Sequence, residues 1–389
     1  MRLEEIQNAI TVEGFDGWLF YDHHRRDPLA YRILGLPNHL QSTRRWYYYI
    51  PARGEPRALC HRIESHNLDS LPGEKFLYSR WSEQKKELSR ILAPARIVAM
   101  QHSSDCALPY IAMVDAGTVE LICGLGIDVS SSANLVQQFE ACWTATQFES
   151  HLEAGRRMDG IRAEAFQLIR ERTRNKSALN EWEVRKFLLE RFASNNLQTD
   201  HGPIVAVNAN ASDPHYEPTS ERHSAVGPGD FVLIDMWAKL STPDSVFYDI
   251  TWTSFCGDSP RSDMQNVFGI VAGARDAAVG FVQRSVRDRI AIAGFQVDDA
   301  ARGHIDRAGF GDYFIHRTGH SIGVEVHGAG ANMDNYETHD ERRLIPWTCF
   351  SVEPGIYMPD FGIRSEVNVF VSDKDACLTG QVQRELLIL

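Results

Sequence analysis

The sequence lacks the features that mark exported and membrane-bound proteins. No run approaches the roughly 18 consecutive apolar residues of a transmembrane helix. The first residues, MRLEEIQNAI, carry acids where a signal peptide would carry an apolar stretch. The seven cysteines are scattered and form no C-x-x-C pair, which argues against a disulfide framework. We therefore expect a cytoplasmic protein with reduced thiols and no segment that enters a membrane.

Positive charge is also in short supply. The chain has 40 Lys and Arg against 52 Asp and Glu, a formal net charge of −12. This balance argues against a nucleic-acid backbone or an anionic membrane as the main partner, and it leaves room for an acidic metal pocket. Hydrophobic residues make up 43% of the 389 residues, enough for a sizeable core, and this length predicts two domains.

The first region, residues 1–145, alternates helix and strand patterns. It predicts a small α/β domain with a mixed sheet, in which Gly17–Tyr21 and Glu120–Cys123 are expected to be strands. The region contains histidines and acids but no recognisable catalytic spacing. We interpret His23 and His24 as residues of a surface loop.

The second region, residues 146–389, opens with a strongly helical stretch up to Arg174. Two pairs of strands follow, separated by helices. The first pair is Phe231–Lys239 with Val246–Phe255, and the second is Cys349–Tyr357 with Gly362–Val371. The overall prediction is an α+β protein with domains 1–145 and 146–389.

Each of these four strands contains an acid among apolar residues: Asp235, Asp249, Glu353 and Glu366. Acids are depleted from strands and are rarely buried without a partner. One such acid is explained by exposure at a sheet edge, but four in two strand pairs form a pattern. If the two halves face each other, four carboxylates meet at one centre.

Three histidines, His316, His320 and His327, lie between the two strand pairs, among glycines that let a backbone approach a site closely. Four carboxylates and an imidazole form a hard, anionic ligand set that two divalent cations would neutralise. Two metals about 3.5–4 Å apart activate a bridging water and polarise a carbonyl or phosphoryl oxygen. The residues alone therefore indicate two-metal hydrolysis.

These segments resemble a known family. LIDMWA with YDITWT, HRTGHSIG, SVEPGIY and GIRSEVNV are similar to the metal-binding motifs of the M24 "pita-bread" peptidases. That family includes Xaa-Pro aminopeptidase, prolidase, methionine aminopeptidase and the non-metal creatinase. The resemblance covers roughly residues 150–389, and residues 1–145 have the size of a creatinase-like N-terminal domain. It implies a C-terminal pita-bread domain with pseudo-symmetric halves, and a homodimer.

The resemblance also implies roles for individual residues. Its five metal ligands would be Asp235, Asp249, His320, Glu353 and Glu366. Asp249 and Glu366 would bridge two metals, and Glu353 would also serve as general acid and base.

Four further positions match residues around the family's substrate. His215 matches the histidine that meets the scissile amide or the leaving amine, and His327 matches the one that stabilises the tetrahedral intermediate. His316 and Arg364 match positions around the pocket.

The sequence departs from the family pattern in places that shape the substrate pocket. Bulky side chains, Trp237 and Trp252, follow the two aspartates where the family has Gly and Arg, and we expect both to line the pocket. Arg317 replaces a glycine, and Gly328–Gly330 replaces the family's Glu-x-Pro. None of these changes removes a metal ligand.

Three functions are compatible with these observations. The first is a dimetal exopeptidase that cleaves the bond between an N-terminal residue and proline in a small peptide, with Mn²⁺ favoured and Co²⁺, Zn²⁺ or Fe²⁺ as alternatives. The second is a metal-dependent hydrolase or lyase of a small non-peptide metabolite on the same scaffold. The third is a non-catalytic pita-bread binding module, which would typically degrade the ligand set.

Overall fold

The computed structural model describes residues 2–37 and 39–389. The chain divides into two compact units, Met1–Glu140 and Ala141–Leu389. No helix among the described residues has the length and apolar character needed to cross a membrane.

The N-terminal unit is built around one six-stranded mixed sheet. Its strands are β1 (Gly17–Asp22), β2 (Trp46–Pro51), β3 (Arg57–His61), β4 (Glu74–Tyr78), β5 (Ile97–Met100) and β6 (Asp128–Ser131). Their order across the sheet is β4-β3-β2-β1-β5-β6, with β1 antiparallel to β2 and parallel to β5. The predicted small α/β domain with a mixed sheet is therefore what this unit contains.

The described part of this unit also contains five α-helices: α1 (Leu3–Val12), α2 (Pro28–Leu34), α3 (Trp81–Leu92), α4 (Ala116–Cys123) and α5 (Ala133–Val136). The predicted strand Glu120–Cys123 is wrong, because these residues form the second half of α4. Asp115 precedes the helix, and its carboxylate accepts a hydrogen bond from the backbone N–H of Thr118. A short apolar run does not distinguish a strand from a helix, and here the capping residue decides.

The C-terminal unit contains four long helices: α6 (Ala145–Arg174), α7 (Glu181–Ser194), α8 (Ser262–Arg287) and α9 (Gly294–Arg307). Helix α6 starts with a capping box, in which the Thr144 side chain accepts from the Gln147 N–H and the Gln147 side chain accepts from the Thr144 N–H.

The strands of this unit form three sheets. They are β7 (Leu197–Gln198), β8 (Ile204–Val207), β9 (Phe231–Leu240), β10 (Tyr248–Phe255), β11 (Ser321–Ile322), β12 (Thr348–Val352), β13 (Gly355–Met358), β14 (Phe361–Arg364), β15 (Val367–Val371), β16 (Ala376–Leu378) and β17 (Leu387–Ile388). One sheet has the order β17-β10-β9-β7, with β8 also paired to β9. A second has the order β11-β12-β15-β16, and β13 pairs with β14.

Alternation along β9 decides which side chains reach the interior of the unit. Ile234 and Met236 pack in a core cluster with residues of α6 and α7. Phe231 and Leu233 point to the opposite face and pack with residues of α8, α9 and β12–β15. Because side chains alternate along a strand, Asp235 lies on this second face, between the two halves of the unit.

The second predicted strand pair is more finely divided than expected. Each long strand breaks in the middle, so that β12 pairs with β15 and β13 pairs with β14. Pro354 falls at the first break, where its missing N–H interrupts a sheet ladder. The breaks leave Glu353 between β12 and β13, and Glu366 between β14 and β15. Both glutamates thus stand where the ladder leaves them free to point inward.

Candidate metal centre

Three of the predicted ligands form a tight buried cluster. Asp249, His320 and Glu366 each offer one ligand atom, and these atoms lie within 4.8 Å of one another. His320 is placed between two carboxylates, with its Nε2 3.5 Å from Asp249 Oδ2 and 3.4 Å from Glu353 Oε1. The structure therefore brings three of the five predicted ligands together and places a fourth, Glu353, beside His320.

Two oxygen atoms in this cluster have no hydrogen-bond partner among the described residues. They are Oδ1 of Asp249 and Oε1 of Glu366, and both are buried. A buried carboxylate oxygen without a partner costs free energy, and buried carboxylates are normally paired or bound to a metal. These orphaned oxygens are what a cation between Asp249, His320 and Glu366 would satisfy. The hard donor set fits a divalent ion of the Mn²⁺ or Zn²⁺ kind.

The cluster is electrostatically unfavourable without a cation. Burial raises the pKa of Asp249 to about 7, and the nearby Asp235 and Glu353 carboxylates add to the rise. Burial and then the charge of Asp249 raise the pKa of Glu366 well above its ordinary value. Carboxyl groups that resist ionisation in the protein alone are those that a divalent cation would stabilise most.

The pKa of Glu353 is shifted in the opposite direction from those of Asp249 and Glu366. Burial acts to raise its pKa, but His320, His316 and Arg364 together keep the pKa below its ordinary value. Its Oε1 accepts a hydrogen bond of 3.0 Å from the Ser351 hydroxyl. Glu353 is therefore ionised at neutral pH.

Asp235 has a different neighbour from the other ligands. Its Oδ2 accepts a hydrogen bond from Nη2 of Arg364, and the two groups form a buried ion pair. Arg364 also donates from Nε to the Thr251 hydroxyl at 3.1 Å and from Nη1 to the Tyr357 hydroxyl at 3.0 Å. Asp235 thus faces the interior as predicted, but the structure pairs it with Arg364 and leaves it outside the three-residue cluster.

Two of the remaining predicted histidines lie beside the cluster. The ring of His327 makes an edge contact with that of His320, with centroids 4.4 Å apart, and the proximity of His320 lowers the pKa of His327. His316 hydrogen-bonds through Nε2 to the Tyr357 hydroxyl at 2.7 Å, and burial lowers its pKa to about 4. Both imidazoles are neutral at pH 7.

His215 lies on an exposed loop that follows β8. Its backbone N–H donates to Asp213 at 3.0 Å, and no described contact joins its ring to the carboxylates. Its proposed role toward the substrate stays a prediction.

The two tryptophans expected to line the pocket lie on opposite faces of the sheet. Trp237 follows Asp235 by two residues, sits across from Asp249 in the β9–β10 register, and donates from its indole N–H to Asp200 at 2.8 Å. Trp252 follows Asp249 by three residues, and alternation therefore turns it away. Its ring lies 3.6 Å from the guanidinium carbon of Arg162 on α6. The expectation that Trp252 lines the pocket is wrong.

Several residues of the site were missed from the sequence. Thr251 donates from its hydroxyl to Glu366 Oε2 at 2.8 Å, and Asn368 donates to the backbone carbonyl of Asp249 at 2.8 Å. The Ser351 hydroxyl accepts from the backbone N–H of His320 at 2.9 Å. All three had a usable signal in strand alternation, because each lies two residues from a predicted ligand. Thr251 follows Asp249, Asn368 follows Glu366, and Ser351 precedes Glu353.

The loop that carries His320 is anchored to α9. Asp298, which is fully buried, accepts hydrogen bonds from the backbone N–H and the hydroxyl of Thr318 at 2.9 and 2.6 Å. It also forms an ion pair with Arg302, which in turn donates to the His316 carbonyl at 2.7 Å. Gly319 is needed here because a Cβ would come within 1.9 Å of the Ser351 carbonyl oxygen.

We expect Asp298→Ala to lower the free energy of unfolding by about 3–5 kcal/mol, because it leaves Arg302 and the Thr318 N–H without their buried partner. Urea denaturation would measure the change. The control is Asp299→Ala, which removes the neighbouring exposed carboxylate of the same helix, an acceptor for the Asn335 side chain at 2.7 Å. Equal effects from the two variants would contradict the anchoring role of Asp298.

Fold and cluster together define a protein with a buried, oxygen-rich group of side chains that could hold a metal, placed between two halves of one unit. The model of metallopeptidase family M24 matches residues 149–373, more than half of the chain, and the chain belongs to this family. The resemblance expected from the sequence is confirmed.

Comparison with known proteins supports the same fold. Over 171 residues the chain is 32% identical to the Xaa-Pro dipeptidase of Lactobacillus delbrueckii subsp. lactis, a match that covers 44% of this chain and 42% of that protein. The chain spans about half the length of the first curated relatives that it matches.

Solved structures extend the similarity along the chain. The crystal structure of dipeptidase PepE from Mycobacterium ulcerans superimposes with a TM-score of 0.72 at 23% identity, covering 100% of this chain and 96% of that one. The X-prolyl aminopeptidase of Caenorhabditis elegans, described as a cytosolic enzyme with a di-nuclear active site, gives a TM-score of 0.68 at 16% identity. That superposition covers 98% of this chain and 61% of that one. The predicted α+β, pita-bread fold class is confirmed.

Proposed function

We propose that this protein is a metal-dependent exopeptidase that hydrolyses the bond between an N-terminal residue and proline. The observation that carries the proposal is the pair of orphaned, buried carboxylate oxygens on Asp249 and Glu366, placed around His320. The names of the relatives, Xaa-Pro dipeptidase and X-prolyl aminopeptidase, support the choice of bond. Residues 1–145 would be the creatinase-like domain and 146–389 the catalytic one.

The metal ligands in this proposal are Asp235, Asp249, His320, Glu353 and Glu366. When bound, two divalent cations would lower the pKa of a water molecule and polarise the scissile carbonyl. Mn²⁺ is our preferred ion, because the donor set is rich in oxygen, and Co²⁺, Zn²⁺ and Fe²⁺ suit the same set. The di-nuclear site of the C. elegans enzyme supports two ions rather than one.

The chain's own groups would perform the proton transfers. Glu353, ionised at neutral pH, would accept a proton from the attacking water and pass it to the leaving amine, with the Ser351 hydroxyl holding its Oε1 in place. His327, neutral at this pH and beside His320, would donate a ring N–H to the oxyanion. His215 would meet the leaving amine from the exposed loop.

Arg364 would orient the acids rather than react. It contacts Asp235, Thr251 and Tyr357, and its Nε lies 3.8 Å from Glu353 Oε2. Because the Thr251 hydroxyl donates to Glu366, this arginine is linked to acids of both halves of the site. Trp237, held by Asp200 on the same face as Asp235, would form one wall of the substrate pocket.

The proposal is tested by a metal-dependent activity screen. Protein stripped with a chelator and reloaded with Mn²⁺, Co²⁺ or Zn²⁺ would be assayed on Xaa-Pro dipeptides, Xaa-Pro-Yaa tripeptides and matched peptides without proline. We expect no turnover without metal, recovery with Mn²⁺, and cleavage restricted to peptides with proline in second place. The relative rates on the two peptide lengths distinguish a dipeptidase from an aminopeptidase.

Other outcomes of the screen would identify the alternatives. Two bound metals with no turnover of any peptide would favour a hydrolase or lyase of a small non-peptide metabolite. Failure to retain metal after loading would favour a binding module. The expected homodimer and cytoplasmic location are part of the proposal, and sedimentation equilibrium would measure the first.

A further inference from the structure

The N-terminal unit contains a cavity of about 820 Å³ that the proposed hydrolysis does not use. We call it the basic cavity, because six of its lining residues are arginines or histidines: His23, His24, Arg26, Arg44, Arg45 and His61. Its volume lies in the range of cavities that hold small organic ligands. The predicted surface loop of His23 and His24 therefore forms part of a cavity wall.

The charge of the basic cavity is opposite to that of the chain. Three arginines line it against one carboxylate, that of Asp115, in a protein of net charge −12. The Asp115 carboxylate is already hydrogen-bonded, because it accepts from the N–H and the hydroxyl of Thr118, both at 2.9 Å. The side chain of Arg26 has no hydrogen-bond or ion-pair partner among the described residues, and that of Arg45 lies beside the neutral hydroxyl of Tyr78 rather than a carboxylate. A concave surface lined by one sign of charge concentrates ligands of the opposite sign.

The first basic loop, residues 23–26, is held in a fixed conformation by a buried carboxylate. Asp22 is buried, and its carboxylate accepts from the backbone N–H of Arg25 at 2.9 Å and of Arg26 at 2.7 Å. The hydroxyls of Tyr31 and Ser42 donate to the same carboxylate at 3.0 and 3.1 Å. This network keeps two consecutive residues that are not glycine, His24 and Arg25, in the left-handed region, at φ of 62° and 58°. Such backbone strain persists only where surrounding bonds impose it.

The second basic loop, residues 43–45, is also held by a carboxylate that binds its backbone. Glu64 accepts from the backbone N–H of Thr43 at 2.9 Å, and from that of Arg44 at 3.1 Å. It also accepts from the Thr43 hydroxyl at 2.5 Å. Two carboxylates thus bind the backbone of the basic loops, while the side chains of Arg26, Arg44 and Arg45 line the cavity. A site that is ordered before binding loses less conformational entropy when it binds a ligand.

Aromatic rings lie beside the guanidiniums. Trp81, at the start of α3, lines the basic cavity and is 77% exposed. Tyr21 and Tyr78 line it as well, and the ring of Tyr78 makes an edge contact with that of His61, with centroids 5.0 Å apart. An exposed indole next to cationic side chains offers a stacking face to a planar ring.

We propose that the basic cavity binds a small organic phosphate that carries a planar heterocycle, the chemistry of a nucleotide. The guanidiniums of Arg26 and Arg45 would take the phosphate through charge-assisted hydrogen bonds, and Trp81 would stack on the heterocycle. The site lies entirely within the N-terminal unit. Nucleotide binding at this site does not depend on the proposed peptidase activity.

Isothermal titration of the full-length protein with adenosine monophosphate, inorganic phosphate and adenosine tests this proposal. We expect the nucleotide to bind more tightly than phosphate and adenosine to give no measurable heat. The affinity should fall as salt is added, because exposed charges are screened. Arg26→Gln and Arg45→Gln should each weaken nucleotide binding about tenfold or more. Trp81→Leu should weaken nucleotide binding and leave phosphate binding unchanged.

The matched control is Arg53→Gln, which removes an exposed arginine of the same unit that does not line the basic cavity. Arg26 is on the surface, so its variant stays folded even if Arg45→Gln does not. Absence of binding to the wild-type protein, or equal affinity in all arginine variants, would overturn the proposal. A third result would also overturn it: the wild type binds no nucleotide, and Arg26→Gln loses peptide hydrolysis. That result would assign the arginine to the peptidase reaction.

Discussion

Replacing Glu366 by glutamine is expected to remove metal-dependent hydrolysis, with a loss in kcat/KM of roughly a thousandfold or more. Glutamine keeps the shape of the side chain, and its carbonyl oxygen still accepts from the Thr251 hydroxyl that now donates to Oε2. What it loses is the negative charge and the orphaned oxygen Oε1 that we assign to the metal. Peptide assays with added Mn²⁺ measure the activity, and elemental analysis measures the metal retained.

The same substitution should leave the metal-free protein folded. Burial and the charge of Asp249 hold the pKa of Glu366 well above its ordinary value, so its ionised form is unfavourable in the native state. A neutral side chain removes that repulsion and does not create a new one. The control is Glu341→Gln, a change at an exposed glutamate outside the cluster. A Glu366→Gln protein that retains both its metal and its activity would refute the assignment.

The four acids could be singled out from the sequence because each one violates a local rule. A carboxylate inside an apolar strand has no partner within reach along the chain, so its presence indicates a ligand or a distant partner. Asp249 and Glu366 meet this expectation, since each has a buried oxygen without a described protein partner. The break at Pro354, which frees Glu353 from the ladder, could also have been read from the sequence.

Partners that lie far apart in the chain could not be predicted in this way. Asp235 pairs with Arg364, 129 residues later, and Asn368 holds the backbone of Asp249 across 119 residues. No periodicity joins such positions, because their contact depends on how the two halves of the unit pack. A chain-local pattern therefore identifies the charged residue but not the group that will neutralise it.

The misplaced tryptophan is an error of a different kind. Trp252 lies three residues after Asp249, an odd number, so strand alternation alone assigns it to the opposite face. Its packing against Arg162 of α6 follows from that rule. Proximity in sequence to a ligand is a weaker guide to where a strand side chain points than the two-residue period of the strand. Thr251, one residue earlier, belonged to the site instead.

The stability of the metal-free protein should fall as the pH rises from about 4 to about 7, with Asp249 as one cause. Burial raises the pKa of this carboxyl from 3.8 to about 7, so between these values the folded state holds a proton that the unfolded chain has lost. The free energy of unfolding then decreases with pH, by about 4 kcal/mol in total for this group. Below pH 4 both states are protonated and the penalty vanishes.

The variant Asp249→Asn isolates this contribution, because asparagine carries no charge at any pH. In urea denaturation of chelator-treated protein, the variant should match the wild type at pH 4 and exceed its stability increasingly up to pH 7. Asp258→Asn, at an exposed position, should follow the wild type at every pH. Mn²⁺ should reverse the slope for the wild type and for Asp258→Asn but not for Asp249→Asn, because metal ligands must lose their protons and binding to the folded state adds stability. A wild-type slope that stays unchanged when Mn²⁺ is added would show that Asp249 does not bind the ion.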